Sequence, residues 1–68
     1  MNSDIIRGKW REIKGAARVQ WGRLTDDELD EAEGNVEKLA GLVQQRYGYE
    51  RDRAQQEVDT FLRRYDRP

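Results

Sequence analysis

The apolar residues of this 68-residue chain recur at helical spacing from end to end, and that periodicity restricts its fold more than any other feature. Ile6, Trp10, Ile13, Ala17 and Trp21 follow one another at intervals of four, three, four and four. A second stripe runs Leu29, Ala32, Val36, Leu39, Val43, Tyr47, and a third reads Ala54, Val58, Phe61, Leu62, Tyr65. Each keeps the 3.6-residue period of a helix with one buried face. Period-two alternation is nowhere sustained, so no strand is predicted. The expected class is all-α: a small irregular array of three to four short amphipathic helices without a sheet. A chain of this length holds one core at most, so residues 1–68 are read as a single domain.

Local signals bound the helices. Asn2 or Ser3 is a candidate N-cap with Asp4 in the first turn, and Gly22 suits a left-handed stop, which predicts a helix over about 3–21. Thr25 and Glu28 then stand at capping-box spacing, with Leu24 placed to staple onto Leu29. The second helix is expected over 26–47. Its stripe stays in phase across Gly34, so the expectation there is a bend or weak break and not a full loop. Gly48 supplies the next stop, with Tyr49 folding back on Val43. The third helix is expected over 50–65, where Arg63 and Arg64 suit the negative end of the dipole, and Asp66–Pro68 should fray. Trp10, Ile13, Trp21, Leu39, Val43 and Phe61 are the expected core.

Sliding the chain by 26 residues pairs all six glycines: Gly8, Gly15 and Gly22 fall on Gly34, Gly41 and Gly48. The stripe pairs too, Trp10 with Val36 and Trp21 with Tyr47, so two related helical units are implied. Gly22 and Gly48 read as caps, Gly8 and Gly34 as bends. Gly15 and Gly41 fall inside helices, on the face opposite the stripe, where each costs about 1 kcal/mol relative to alanine. Either a partner backbone approaches that face closely, or the helices are simply weak there; the second is the plainer reading.

Composition restricts function. Only 35% of residues are hydrophobic and 40% are charged, with a mean hydropathy of -1.16, so the core must be thin. Cysteine is absent, which removes disulfides and thiolate metal sites. Histidine is absent as well, leaving no common general base, and Ser3, Thr25 and Thr60 have no activating base nearby in sequence. The glycines match no phosphate-binding loop. We read the chain as non-enzymatic, with no cofactor. Asp26, Glu28, Asp30 and Glu37 approach positions one, three, five and twelve of a calcium loop, but Glu31 occupies the glycine position, and the helix-start signal claims the same residues. A solvated acidic first turn is expected instead of a metal site. No apolar run is long enough for a membrane span, and a cytoplasmic location is the default expectation.

The net charge of -1 conceals an uneven distribution: residues 1–24 carry +4, residues 25–38 carry -6 and residues 39–68 carry +1. Arg7, Arg11, Lys14 and Arg18 form a basic stripe beside Trp10 and Trp21, a pattern able to bind an anionic partner. A solvated face, or one paired internally with the acidic segment Asp26–Glu37, with the tryptophans in the core, is the plainer reading, and overall acidity argues against nucleic acid. Tyr47 and Tyr49 around Gly48 form another candidate tip, with core packing and capping favoured. The candidate interaction surface therefore comprises Arg7, Arg11, Lys14, Arg18, Gly15, Gly41, Tyr47 and Tyr49. Its partner would be an unspecified macromolecule, and the chain itself a monomer or weakly self-associating.

The run GKWREIKGAARVQWGRLTDDELDEAEGNVEKLAGLVQQRYGYERDRAQQEVDTF, from Gly8 to Phe61, closely resembles CsbD-like proteins, a family of small hydrophilic bacterial stress-response proteins. The shared segments are KG, WG-x-LTDD, EG, L-x-G and Q-x-RYGY in that order. Glu31-Ala32-Glu33 departs from the pattern, standing where the family is more apolar. The resemblance implies a compact irregular array of helices and accumulation in general or osmotic stress, with no established biochemical activity. It leaves three expectations: a folded interaction or protective module, a partly disordered osmotic or desiccation protectant, or a nucleic-acid or membrane-surface accessory that uses the basic stripe.

Overall fold

Five helices and no strand form among the described residues: α1 (Ser3–Gly8), α2 (Trp10–Gln20), α3 (Asp26–Ala32), α4 (Val36–Tyr47) and α5 (Arg51–Leu62). The structure, a computed structural model, describes residues 3–66 and the side chains of residues 4–66. Ser3 opens α1 as its first helical residue, while the expected cap at Asn2, the Ser3 side chain and the fraying of Arg67 and Pro68 lie outside the described residues. The class is all-α as expected, but two of the three expected helices are each divided, giving five where three to four were predicted.

The first division is a kink. Lys9 leaves helical geometry (φ -102°, ψ 11°) although its N–H still donates to Ile5 O at 3.1 Å and its carbonyl accepts Ile13 N–H at 2.9 Å. The backbone ladder therefore passes through a redirected turn, and Ile6 on α1 and Trp10 on α2 both reach the core.

The second division is a break, the stronger of the two outcomes, bend or weak break, expected at Gly34. Glu33 and Gly34 both take positive φ, 43° and 84°, and Asn35 then caps α4 by accepting Lys38 N–H at 3.1 Å. The cause lies across the fold. Gly34 passes so close to α1 that a Cβ there would stand 2.9 Å from Arg7 Cα, so the chain must turn sharply and without a side chain.

The remaining boundaries follow local chemistry. The capping box before α3 is closed in both directions: Glu28 N–H donates to Thr25 Oγ1 at 3.2 Å, and Thr25 N–H donates to Glu28 Oε1 at 3.1 Å. Leu24 and Leu29 are both buried. Gly48 takes the expected left-handed cap at φ 68°, donating to Gln44 O at 2.9 Å. Gly22 does not. Among the described glycines only Gly34 and Gly48 have positive φ, and α2 instead ends through Trp21 (φ -125°, ψ 78°), an extended exit that drops the indole into the core. At its end α5 stops at Leu62, and Tyr65 N–H closes a last turn onto Leu62 O at 2.9 Å.

Each helix packs on its neighbour in sequence, most extensively α4 on α5. The core holds fifteen residues, Trp10, Ile13, Trp21, Leu39, Val43 and Phe61 among them, and no polar or charged residue is buried among those described. Trp21 meets Phe61 edge to face at 4.9 Å between ring centroids, tying the end of α2 to α5. The Trp10 indole N–H donates to Leu29 O at 2.9 Å, a buried clamp between α2 and α3. The 26-residue repeat is visible in the helix starts, Trp10 for α2 and Val36 for α4.

Candidate interaction surface

The basic stripe of α1 and α2 divides in two. Lys14 Nζ lies 2.8 Å from Asp30 and 3.9 Å from Asp26, and Arg18 lies 3.2 Å from Asp26. The hydrogen bond that Lys14 Nζ donates to Asp30 holds the ammonium above its ordinary pKa, opposed by partial desolvation. These contacts pair α2 with the acidic α3. Arg7 and Arg11 make no ion pair among the described residues and remain exposed.

The acidic residues that approached calcium-loop spacing point apart. Asp26 and Asp30 turn toward α2, whereas Glu28 turns toward α4 and receives Arg46 Nε at 3.0 Å. That guanidinium, with help from the Thr25 N–H, lowers the Glu28 pKa below the ordinary carboxylate value. No group of three potential metal ligands comes together among the described residues.

The tyrosine tip is engaged from both ends. Tyr47 and Tyr49 stack at 5.6 Å with 28° between planes, Arg23 lies over Tyr47 at 5.4 Å, and Arg53 covers Tyr49 at 3.9 Å. Arg23 N–H also donates to Tyr47 Oη at 3.2 Å, and its guanidinium donates to Arg46 O at 3.3 Å. The four stacked side chains lock the 21–25 turn onto the end of α4. Their arrangement is that of an internal brace.

Gly15 and Gly41 are exposed, and a Cβ on either would meet nothing within 4 Å. No part of the described chain approaches them. The face of α2 that carries Gly15 also carries Val19, four residues on and 87% exposed. Sequence reasoning missed Val19 because it lies off the core stripe, where its signal is that of any isolated apolar residue. Arg23 and Arg46 were missed too. Each acts through a contact about two dozen or eighteen residues away, and nothing in the sequence marks that range. No helix among the described residues is long and apolar enough to cross a membrane.

Comparison with known proteins places the sequence among named relatives. A UPF0337 protein of Xanthomonas axonopodis pv. citri is 61% identical over 61 residues, covering 90% of this chain and 88% of the relative. A UPF0337 protein of Bordetella pertussis is 55% identical over 64 residues, covering 94% and 97%. The UPF0337 protein YjbJ of Escherichia coli K12 is 47% identical over 58 residues, covering 85% and 84%. No solved structure matches. The CsbD-like family profile matches residues 4–56, a span that holds the capping box, the Gly34 break and the tyrosine brace, and the chain belongs to the CsbD-like family.

Proposed function

We propose that this CsbD-like chain is a non-enzymatic, cytoplasmic stress-response protein that acts as a small folded interaction or protective module on a macromolecular partner. The observation that carries this reading is the division of the chain into an entirely apolar fifteen-residue core and a surface holding every described charge. A chain that only solvates its surroundings needs no such core and no reciprocal capping box. Against a disordered protectant stand those features; against a nucleic-acid or membrane-surface accessory stands the pairing of Lys14 and Arg18 with α3, which leaves Arg7 and Arg11 alone for an anion. Asp26 and Asp30 share Lys14 at the surface and Glu28 is held by Arg46, so no buried pair of carboxylates stands among the described residues, which supports the non-enzymatic part of the proposal.

The test separates fold from composition. A reporter enzyme is dried or heated with the wild-type chain and with Trp21→Ala, which unfolds the core at almost unchanged composition. Protection by the wild type alone is the expected result. Equal protection by both would refute the folded module and favour the hydrophilic protectant.

A further inference from the structure

The outer faces of α2 and α4 occupy equivalent places in the 26-residue repeat, yet they differ in shape and in charge. On α2 the face carries Glu12, Gly15 and Val19; the equivalents on α4 are Lys38, Gly41 and Gln45. Val19 stands out as a knob, the exposed large hydrophobic residue among those described. Beside the α4 face runs a groove between α3 and α4, lined by Glu31, Ala32, Lys38, Gly41, Leu42 and Gln45. Ala32 is buried, Leu42 is half-buried, and the wall at Gly41 is open. Charges invert between the two faces: Arg11 and Glu12 on α2 correspond to Glu37 and Lys38 on α4. None of these four side chains makes an ion pair among the described residues.

We propose that the occupant of this groove is a second copy of the same chain, which seats Val19 beside Gln45, against Gly41 and Leu42 of the groove between α3 and α4. In parallel register the α2 face of one copy brings Glu12 level with Lys38 of the other, whereas two α2 faces would bring Glu12 level with Glu12. Charge therefore selects the unlike faces. The two open glycines admit the helices at close range, since neither presents a side chain at the crossing. Knob and groove are different patches, so the contact is heterologous: each bound copy still offers a free knob or a free groove, and association continues as a chain unless it closes on itself. One valine and a short groove make an interface below standard size, so binding is weak, with a Kd on the order of 0.1 to 1 mM. Assembly is thus a property of abundance, significant only when the protein accumulates. This goes beyond the proposed function and does not depend on it.

The experiment is sedimentation of the full chain from about 10 µM to about 1 mM, the range in which such an interface populates. The wild type is expected to rise with concentration past the mass of a dimer, less so at high salt. Val19→Glu removes the knob and sets a charge against Glu31, and Gly41→Leu fills the groove from a position with free space around it. Each variant, its fold checked by circular dichroism, should associate at least about tenfold more weakly. An equimolar mixture of the two should recover a 1:1 dimer and nothing larger, because one copy retains only the groove and the other only the knob. A wild type that stays monomeric throughout, a Val19→Glu variant that associates like wild type, or a mixture that stays monomeric would each overturn the proposal.

Discussion

Alanine at Gly34 and alanine at Gly41 should change stability in opposite directions, although both glycines belong to the same seven-residue series. At Gly34 the backbone has φ 84°, where an L-residue costs about 1 to 2 kcal/mol. The added methyl would also stand 2.9 Å from Arg7 Cα and 3.3 Å from Arg7 N, backbone atoms that move only if α1 moves with them. Overpacking of that kind costs about 1 to 3 kcal/mol, so Gly34→Ala should lose about 2 to 5 kcal/mol in all. At Gly41 the methyl meets nothing within 4 Å and the backbone is helical, so alanine should gain about 0.5 to 1 kcal/mol. For a chain of this size 1 kcal/mol corresponds to roughly 4 to 8 °C in Tm. Thermal and urea unfolding followed by circular dichroism would therefore place the two variants on opposite sides of wild type, more than about 10 °C apart. A neutral Gly34→Ala would show that α1 does not press on the break. A destabilising Gly41→Ala would mean that the α4 face is already covered in the isolated chain.

Trp21→Ala should cost about 3 kcal/mol or more, because it empties a buried site and removes the edge-to-face contact with Phe61; loss of the cooperative unfolding transition is the readout. Lys14→Gln should lower Tm by a few degrees, while Arg11→Gln should leave it unchanged, since Lys14 holds Asp30 and Arg11 holds no acid. The pH dependence has two edges. Glu28 is depressed below its ordinary 4.5, so its contribution is present above that value and lost as pH falls through the lower folded pKa. Lys14 is raised above its ordinary 10.5, so its contribution is complete below that value and lost as pH rises through the folded pKa. With no histidine in the chain, Tm measured between the two edges should be nearly flat, and a step near pH 6.5 would contradict this assignment of the titrating groups.

Much of the fold was legible because its causes are local. The capping box at Thr25 and Glu28, the left-handed stop at Gly48 and the buried stripe are written within a few residues of where they act. The break at Gly34 was legible only as a bend or weak break, for the phase of the stripe across it argues for continuity; what the sequence hides is the close passage of the Arg7 backbone, 27 residues upstream, which leaves no room for a side chain there. Gly22 misled for the opposite reason. It has the sequence of a cap, but Trp21 leaves the helix by an extended turn to reach Phe61, and no positive φ is then needed. The same division holds for the surface. The pairing of the Lys14 and Arg18 half of the basic stripe with α3 was foreseeable from the charge asymmetry, while the brace of Arg23, Tyr47, Tyr49 and Arg53 depends on bringing two turns together.

The central claim is that this highly charged chain is a folded module before it meets anything else, and hydrogen exchange at the Trp10 indole tests it most directly. That N–H is buried and donates to Leu29 O at 2.9 Å, across the contact between α2 and α3. In the free wild-type protein it should exchange only through global unfolding, with a protection factor that matches the stability from urea denaturation, and that protection should be lost in Trp21→Ala. Exchange at the rate of an exposed indole in the wild type would contradict the account, since the core that holds α2 on α3 would then not exist in solution.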